Sequence, residues 1–249
     1  MKQVEKIIIL LLSFVIFSCS ESTKKNGVVV SGKIQNASGQ KLIFRELDLD
    51  SFHNLDAMKL DDIGFFRFIF NPTEEGFYIL KFEKDEYILL LLEKGEEVHV
   101  EADLQKQPFS YTVTGSPGSA ILREFYIQTI QNLLKADSLR NVLLQQRESP
   151  DFYQLSLSFD TLFIKIIENQ KQIQKNFIKQ NPGSLASLMV LNYKFGVVPV
   201  VNMKDDFPVY QDLDSMLSKK YPLNKHVVFH HQRVVEHELQ EKEKQTQKK

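Results

Sequence analysis

The chain changes its hydrophobic period once, close to residue 116. From Gly27 to Gly115 apolar residues recur at alternate positions, the period of a half-buried strand. Val28, Val30 and, past Gly32, Ile34 alternate with small or polar neighbours, and Phe66, Phe68 and Phe70 face one way while Arg67 faces the other. This predicts strands at 28–34, 41–47, 57–60, 65–70, 77–82, 87–92, 97–102 and 109–113. Seven of the ten glycines fall in this half, mostly in turns such as Ala37-Ser38-Gly39 and Asp61-Asp62-Ile63-Gly64. About eight short strands with turn signals every 8–12 residues predict an antiparallel sandwich or open barrel. Ile88-Leu89-Leu90-Leu91-Leu92 does not alternate, so it reads as a central strand covered on both faces.

After Gly115-Ser116-Pro117-Gly118, the joint between the halves, the period becomes that of helices. Pro117 and Ser119 open a segment with Leu122, Tyr126, Ile130 and Leu133 at helical spacing. Pro150 breaks it, with Asp151 as cap of the next helix, where Phe159, Phe163, Ile166, Ile173 and Phe177 form one apolar stripe. The bland expectation is that these two faces pack on each other and give the helices a core of their own. Asn181-Pro182-Gly183 ends the second helix and Ser184 caps a short third; further helices are expected near 210–219 and from Asn224. Glu236–Lys249, with four acids, four lysines and only Leu239 apolar, reads as a solvated helix end that frays. The expected class is α+β, strands first: a β-sandwich domain at 27–116, a helical region at 117–235 and a polar charged tail at 236–249.

The first 26 residues belong to neither half. Lys2 and Lys6 precede an apolar run from Ile7 to Phe17, and Ser18 stands just before Cys19, the only cysteine. A secretory signal has this order of charge, ~7–15 apolar residues and a small-residue cleavage site. Eleven residues are too few for a membrane span, which needs about 20. A cysteine at the cleavage point resembles the lipobox of bacterial lipoproteins, whose thiol is acylated. The expectation is a signal peptide at 1–18, lipidation of Cys19, a polar tether at 19–26 and anchoring to the cell envelope. With only Glu21 close behind Cys19 there is no acidic run of the kind that directs some lipoproteins outward, which favours the periplasmic face of the outer membrane.

Charge and cysteine count then narrow the chemistry. Removing Lys2, Lys6 and Glu5 with the signal takes the net charge from −1 to −2, which offers no electrostatic footprint for nucleic acid. A hydrophobic content of 43% and a charged content of 25% suit a globular core rather than a disordered chain. With Cys19 lipidated, no thiol is left for a disulfide, a C-x-x-C redox centre or a thiolate zinc site.

Candidate chemistry is sparse. His226 and His230 are four apart on one helix, a spacing at which two imidazoles can share a metal; His231 is adjacent, but His237 lies about 16 Å along the helix from His226, too far for one ion. No H-E-x-x-H accompanies them, and incidental helix histidines are the plainer reading. Asp61-Asp62, Glu96-Glu97 and Asp205-Asp206 could be imagined as general acid and base, yet neighbours on a strand point to opposite faces and turn carboxylates bond backbone amides. Ser116 and Ser119 do not form a G-x-S-x-G elbow. Nine of the nineteen phenylalanines lie in the β half and read first as core, second as a ligand groove.

Several stretches carry a resemblance. They are Val30-Ser31-Gly32-Lys33-Ile34, Asp61-Asp62-Ile63-Gly64 followed by alternating phenylalanines, Phe77-Tyr78, Leu92-Glu93-Lys94-Gly95-Glu96-Glu97-Val98, Tyr111-Thr112-Val113-Thr114-Gly115-Ser116 and Asn181-Pro182-Gly183-Ser184. On these the chain resembles a domain of unknown function, with its helical connector, in envelope lipoproteins of Gram-negative bacteria. There it usually precedes a thioredoxin-like domain. The resemblance implies the accessory part of that architecture, since no tryptophan and no C-x-x-C occur here, and it carries over no catalytic residue. The expected function is a non-enzymatic, lipid-anchored binding or accessory module without a cofactor, partnered by the membrane and by a protein or small molecule, with a link to envelope thiol-redox lipoproteins. The rival expectations are an enzyme using histidines or carboxylates between the two halves, or a degenerate structural relative of a thiol-disulfide oxidoreductase.

Overall fold

The computed structural model describes residues 27–83, 86–106 and 108–247; Cys19 and the apolar run before it lie outside them. Strands come first and helices follow, as the change of period requires. Strands β1 (Val28–Gln35), β4 (Phe65–Phe70), β7 (Glu97–Asp103) and β8 (Tyr111–Thr114) form one sheet in the order β4-β1-β7-β8. Strands β2 (Lys41–Leu47), β3 (Phe52–Lys59), β5 (Gly76–Lys81) and β6 (Tyr87–Leu92) form a second, in the order β3-β2-β5-β6. The sheets face each other across Val30, Phe44, Phe68, Leu80, Leu90 and Val100, all nearly solvent-free.

Every neighbouring pair in the two sheets is antiparallel except one. β1 and β7 run parallel, with Gly32 opposite Val100. The reason is the turn after β6, which sends the chain from the second sheet into the first and lays β7 beside a strand of the same direction. β3 is longer than its hydrophobic pattern implied, since it is an edge strand with an exposed surface along nearly its whole length. Periodicity cannot report a strand that buries nothing.

Helices α1 (Pro117–Gln145) and α2 (Phe152–Gln180) form a long hairpin; α3 (Leu185–Leu191), a two-residue-strand hairpin of β9 (Lys194–Phe195) and β10 (Val198–Pro199), α4 (Phe207–Lys220) and α5 (Lys225–Gln247) complete the chain. Ser184 caps α3 by accepting from the Ala186 amide at 3.2 Å. Asp151 stands at the start of α2, but its side chain makes no cap bond.

The helical half keeps a small cluster of its own, Ile166, Phe195 and Val200 packed with Leu133 and Leu139, but its main core is shared with the second sheet. Phe77 and Leu91 point from the outer face of the second sheet into the cluster of Leu122, Phe125, Leu188, Leu213 and Val227. The second sheet is therefore the middle of three layers, apolar on both faces. That explains the unbroken apolar run of β6, although β6 sits at a sheet edge and not at its centre. Its outward-turned backbone at Leu91 is closed by the start of α1. The Leu91 amide donates to Ser119 Oγ at 3.1 Å, while the Leu91 carbonyl accepts from Ser116 Oγ at 2.9 Å and from Ser119 Oγ at 3.0 Å. A Cβ on Gly118 would stand 2.9 Å from the Leu91 side chain. The joint at Gly115–Gly118 is thus a packed clasp and not a free hinge.

The two expected helix faces also meet differently. Leu122 turns to the sheet and Tyr126 packs against the sandwich core, so α1 presents Phe125, Thr129 and Asn132 to α2. There the contact becomes polar: Gln170 Nε2 donates to Thr129 Oγ1 at 2.9 Å, and Asn132 Nδ2 donates to Gln170 Oε1 at 3.0 Å, all three residues being buried. The apolar stripe of α2 is buried at Ile166 and Phe177, while Phe163 remains 38% exposed.

Candidate functional site

The second sheet and the first leave a gap where β6 and β8 come to the same side of the sandwich, and α1 lies across it. The gap is a cavity of about 430 Å³, within the range of small-molecule sites. Six aromatic side chains line it: Tyr87 from β6, Phe109 just before β8 and Tyr111 at its start, Phe125 and Tyr126 from α1, and Tyr193 after α3. Leu89, Leu122, Ile130, Leu133 and Met189 fill the remaining wall, with Thr129 and Glu86 as its polar members.

The rings brace one another. Tyr111 and Tyr126 lie 5.8 Å apart, and Phe125 meets Tyr193 edge-on at 5.3 Å. Tyr126 Oη donates to the Phe109 carbonyl at 2.8 Å, and Arg123 Nε donates to the Tyr111 carbonyl. Burial pushes the phenols of Tyr111 and Tyr126 up and that of Tyr193 up to about 12, so all three are neutral at physiological pH. The walls offer flat apolar surface with a few hydroxyls, which suits an uncharged or weakly polar ligand. Larger grooves of about 740 and 530 Å³ run along the α1–α2 hairpin, but exposed side chains such as Leu134, Lys135 and Lys165 line the larger.

The cavity was hidden from the sequence by its mixed origin. Of the phenylalanines in the β half only Phe109 reaches it; Phe44, Phe66, Phe68 and Phe82 are core. Tyrosines carry it instead, four of the eight in the chain, and Tyr87, Tyr111 and Tyr193 sit at or beside the end of an element. That placement was the one available signal.

The residues singled out for chemistry lie elsewhere and apart. His226 and His230 share a face of α5 and both are buried. His231 Nδ1 lies 2.9 Å from Asp214 Oδ2, and the His237 ring rests on Phe207. No third His, Cys, Asp or Glu joins a metal-holding group among the described residues. Asp206 is buried between two ammonium groups, Lys171 Nζ at 2.7 Å and Lys175 Nζ at 2.6 Å. Asp61 Oδ1 accepts from the Ile63 and Gly64 amides at 3.0 and 2.8 Å, closing the turn before β4. Glu96 is the most perturbed carboxylate, pushed up to about 7 by burial; one of its oxygens accepts from the Glu93 amide at 3.1 Å. It closes the β6–β7 turn and does not line the aromatic cavity.

Comparison with other proteins leaves the geometry to speak for itself: neither protein-family models nor curated protein sequences match the chain.

Proposed function

We propose that this chain is a lipid-anchored binding module of a bacterial envelope that holds a small apolar ligand between its sandwich and its first helix. The observation that carries the reading is the lining of the 430 Å³ cavity, six aromatic rings whose only polar company is the tyrosine hydroxyls, Thr129 and Glu86. Such a wall binds chiefly by burial of apolar area. The anchor rests on the order of Lys2, Lys6, the run Ile7–Phe17 and Cys19. A role beside envelope thiol-redox lipoproteins follows from the resemblance described above.

Two experiments test this. N-phenyl-1-naphthylamine, a neutral fluorescent probe, is titrated into the mature protein and into Ile130→Trp, which puts an indole into the cavity from its half-buried rim. The variant should keep the wild-type circular dichroism and bind the probe roughly tenfold more weakly, a change of about 1.4 kcal/mol. Equal binding by a folded variant, or no binding by either protein, overturns the cavity. Separately, Cys19→Ala should accumulate as unprocessed precursor or leave the membrane fraction, because stable anchoring needs two lipid signals. Normal processing with membrane retention of that variant overturns the anchor.

A further inference from the structure

A second cavity, of about 260 Å³, lies on the other side of Met189, which lines both. Phe77 of β5, Leu188 of α3 and Phe229 of α5 supply its apolar wall, and His226, His230 and Arg233 of α5 its polar one. Two features mark it as more than a packing gap. His226 and His230 are only 8% and 2% exposed, yet His226 Nε2 and His230 Nδ1 are buried without a hydrogen-bond partner. Buried polar atoms are rarely left so, and each asks for a ligand or a water. Arg233, for its part, has no carboxylate partner among the described residues; its Nη1 donates to Asn192 Oδ1 at 3.1 Å.

The tautomer sets what a ligand must bring. His230 Nε2 is 3.2 Å from the Tyr210 carbonyl oxygen, and only an N–H satisfies a carbonyl, so His230 Nδ1 is a bare lone pair that needs a donor. Arg233 one turn on needs an anion, and a guanidinium is matched best by a carboxylate. Asp48 also lines the cavity, held by Lys225 Nζ at 3.2 Å, and its charge disfavours a multiply charged anion there. We infer that this cavity is a binding site for a small carboxylate bearing a hydrogen-bond donor beside it and an apolar tail, the chemistry of α-amino and α-hydroxy acids. The carboxylate pairs with Arg233, the donor with His230 Nδ1, and the tail lies on Phe77, Leu188 and Phe229. An amino acid adds an ammonium that Asp48 attracts; a hydroxy acid does not.

Calorimetric titration of the mature protein with L-leucine, 2-hydroxy-4-methylpentanoate and 4-methylpentanoate tests this directly. One of the first two should bind at least tenfold more tightly than the third, which keeps the tail and carboxylate but lacks the donor. Its addition should shift the Nδ1 resonance of His230 in a long-range proton–nitrogen spectrum. Arg233→Gln, at a half-exposed position that tolerates the change, should weaken binding at least tenfold, whereas Ile130→Trp in the aromatic cavity should leave it unchanged. No binding of either donor-bearing acid, equal binding of 4-methylpentanoate, an unmoved His230 resonance, indifference to Arg233→Gln or sensitivity to Ile130→Trp each overturn the site. Because Ile130 lies in the other cavity, failure here leaves the naphthylamine result standing, and the reverse holds too.

Discussion

Gly32→Ala should prevent this protein from folding stably, although it adds a single methyl group. Gly32 is in β1, a strand with a neighbour on each side, opposite Phe66 on one and Val100 on the other. A Cβ there would stand 1.7 Å from the Val100 carbonyl oxygen and within 3 Å of its carbonyl carbon and amide nitrogen. Relief would require β7 to move, and Val100 has no exposed surface while Phe66 has 4%. Both strands are pinned by the core between the sheets. A backbone clash that cannot relax belongs to the rare mutations costing more than about 4 kcal/mol, against a total stability of roughly 5–15 kcal/mol. Gly183→Ala is the control, because its Cβ would meet only the Lys220 side chain at 3.8 Å. Urea unfolding should give a normal cooperative transition for Gly183→Ala, and a collapsed midpoint or insoluble protein for Gly32→Ala. Matching midpoints for the two would show that β7 yields.

Acid should destabilise the protein through His226. Its ring lies edge-on to Phe77 at 5.0 Å, where the start of α5 docks on the second sheet. Burial holds its pKa down at about 4, with Lys225 acting in the same direction and Asp48 and Glu46 opposing it. The unfolded chain takes up the proton near 6.5 and the native state only near 4, so between those values the unfolded state binds more protons. Stability from this group is complete above pH 6.5 and falls as the pH drops toward 4, by about 3 kcal/mol in all. His230 is shifted in the same direction, again chiefly by burial.

Glu96 works against this in the wild type. Its raised pKa, about 7, means that the native state binds its proton first, so its contribution grows as the pH falls from 7 toward 4.5. The clean comparison is therefore made in a Glu96→Gln background. There, lowering the pH from 7 to 4 should cost about 3 kcal/mol more with His226 present than with His226→Gln, read from urea midpoints at each pH. Parallel pH profiles for the two variants would mean that His226 is charged in the folded protein.

Glycine placement was readable along the chain, but its reason was not. Gly64 follows a pair of aspartates and marks a turn, whereas Gly32 shows in the chain only as a break in an apolar alternation. That Gly32 closely approaches the Val100 carbonyl of β7 depends on the parallel pairing of β1 with β7. Gly64 combines φ of +76° with a backbone contact to Ile34, another distant partner.

The order of elements, strands then helices with the change at Pro117, is local information. It resides in periods of two and of 3.6, in Ser184 before α3 and in Pro150 between α1 and α2. The unbroken apolar run Ile88–Leu92 also announced burial on both faces by itself. What the chain could not announce is which surfaces do the covering. Side-chain alternation assigns a residue to a face, yet the same Leu122 can lie on a helix or on a sheet, and only the joint packing of α1 with β6 decided for the sheet. The aromatic cavity arises from that packing. It gathers residues from β6, β8, α1 and the segment after α3, so no stretch of sequence holds it. A histidine's hydrogen-bonding needs are visible in its side chain; that His226 Nε2 and His230 Nδ1 go unmet is a property of how α5 closes over the second sheet.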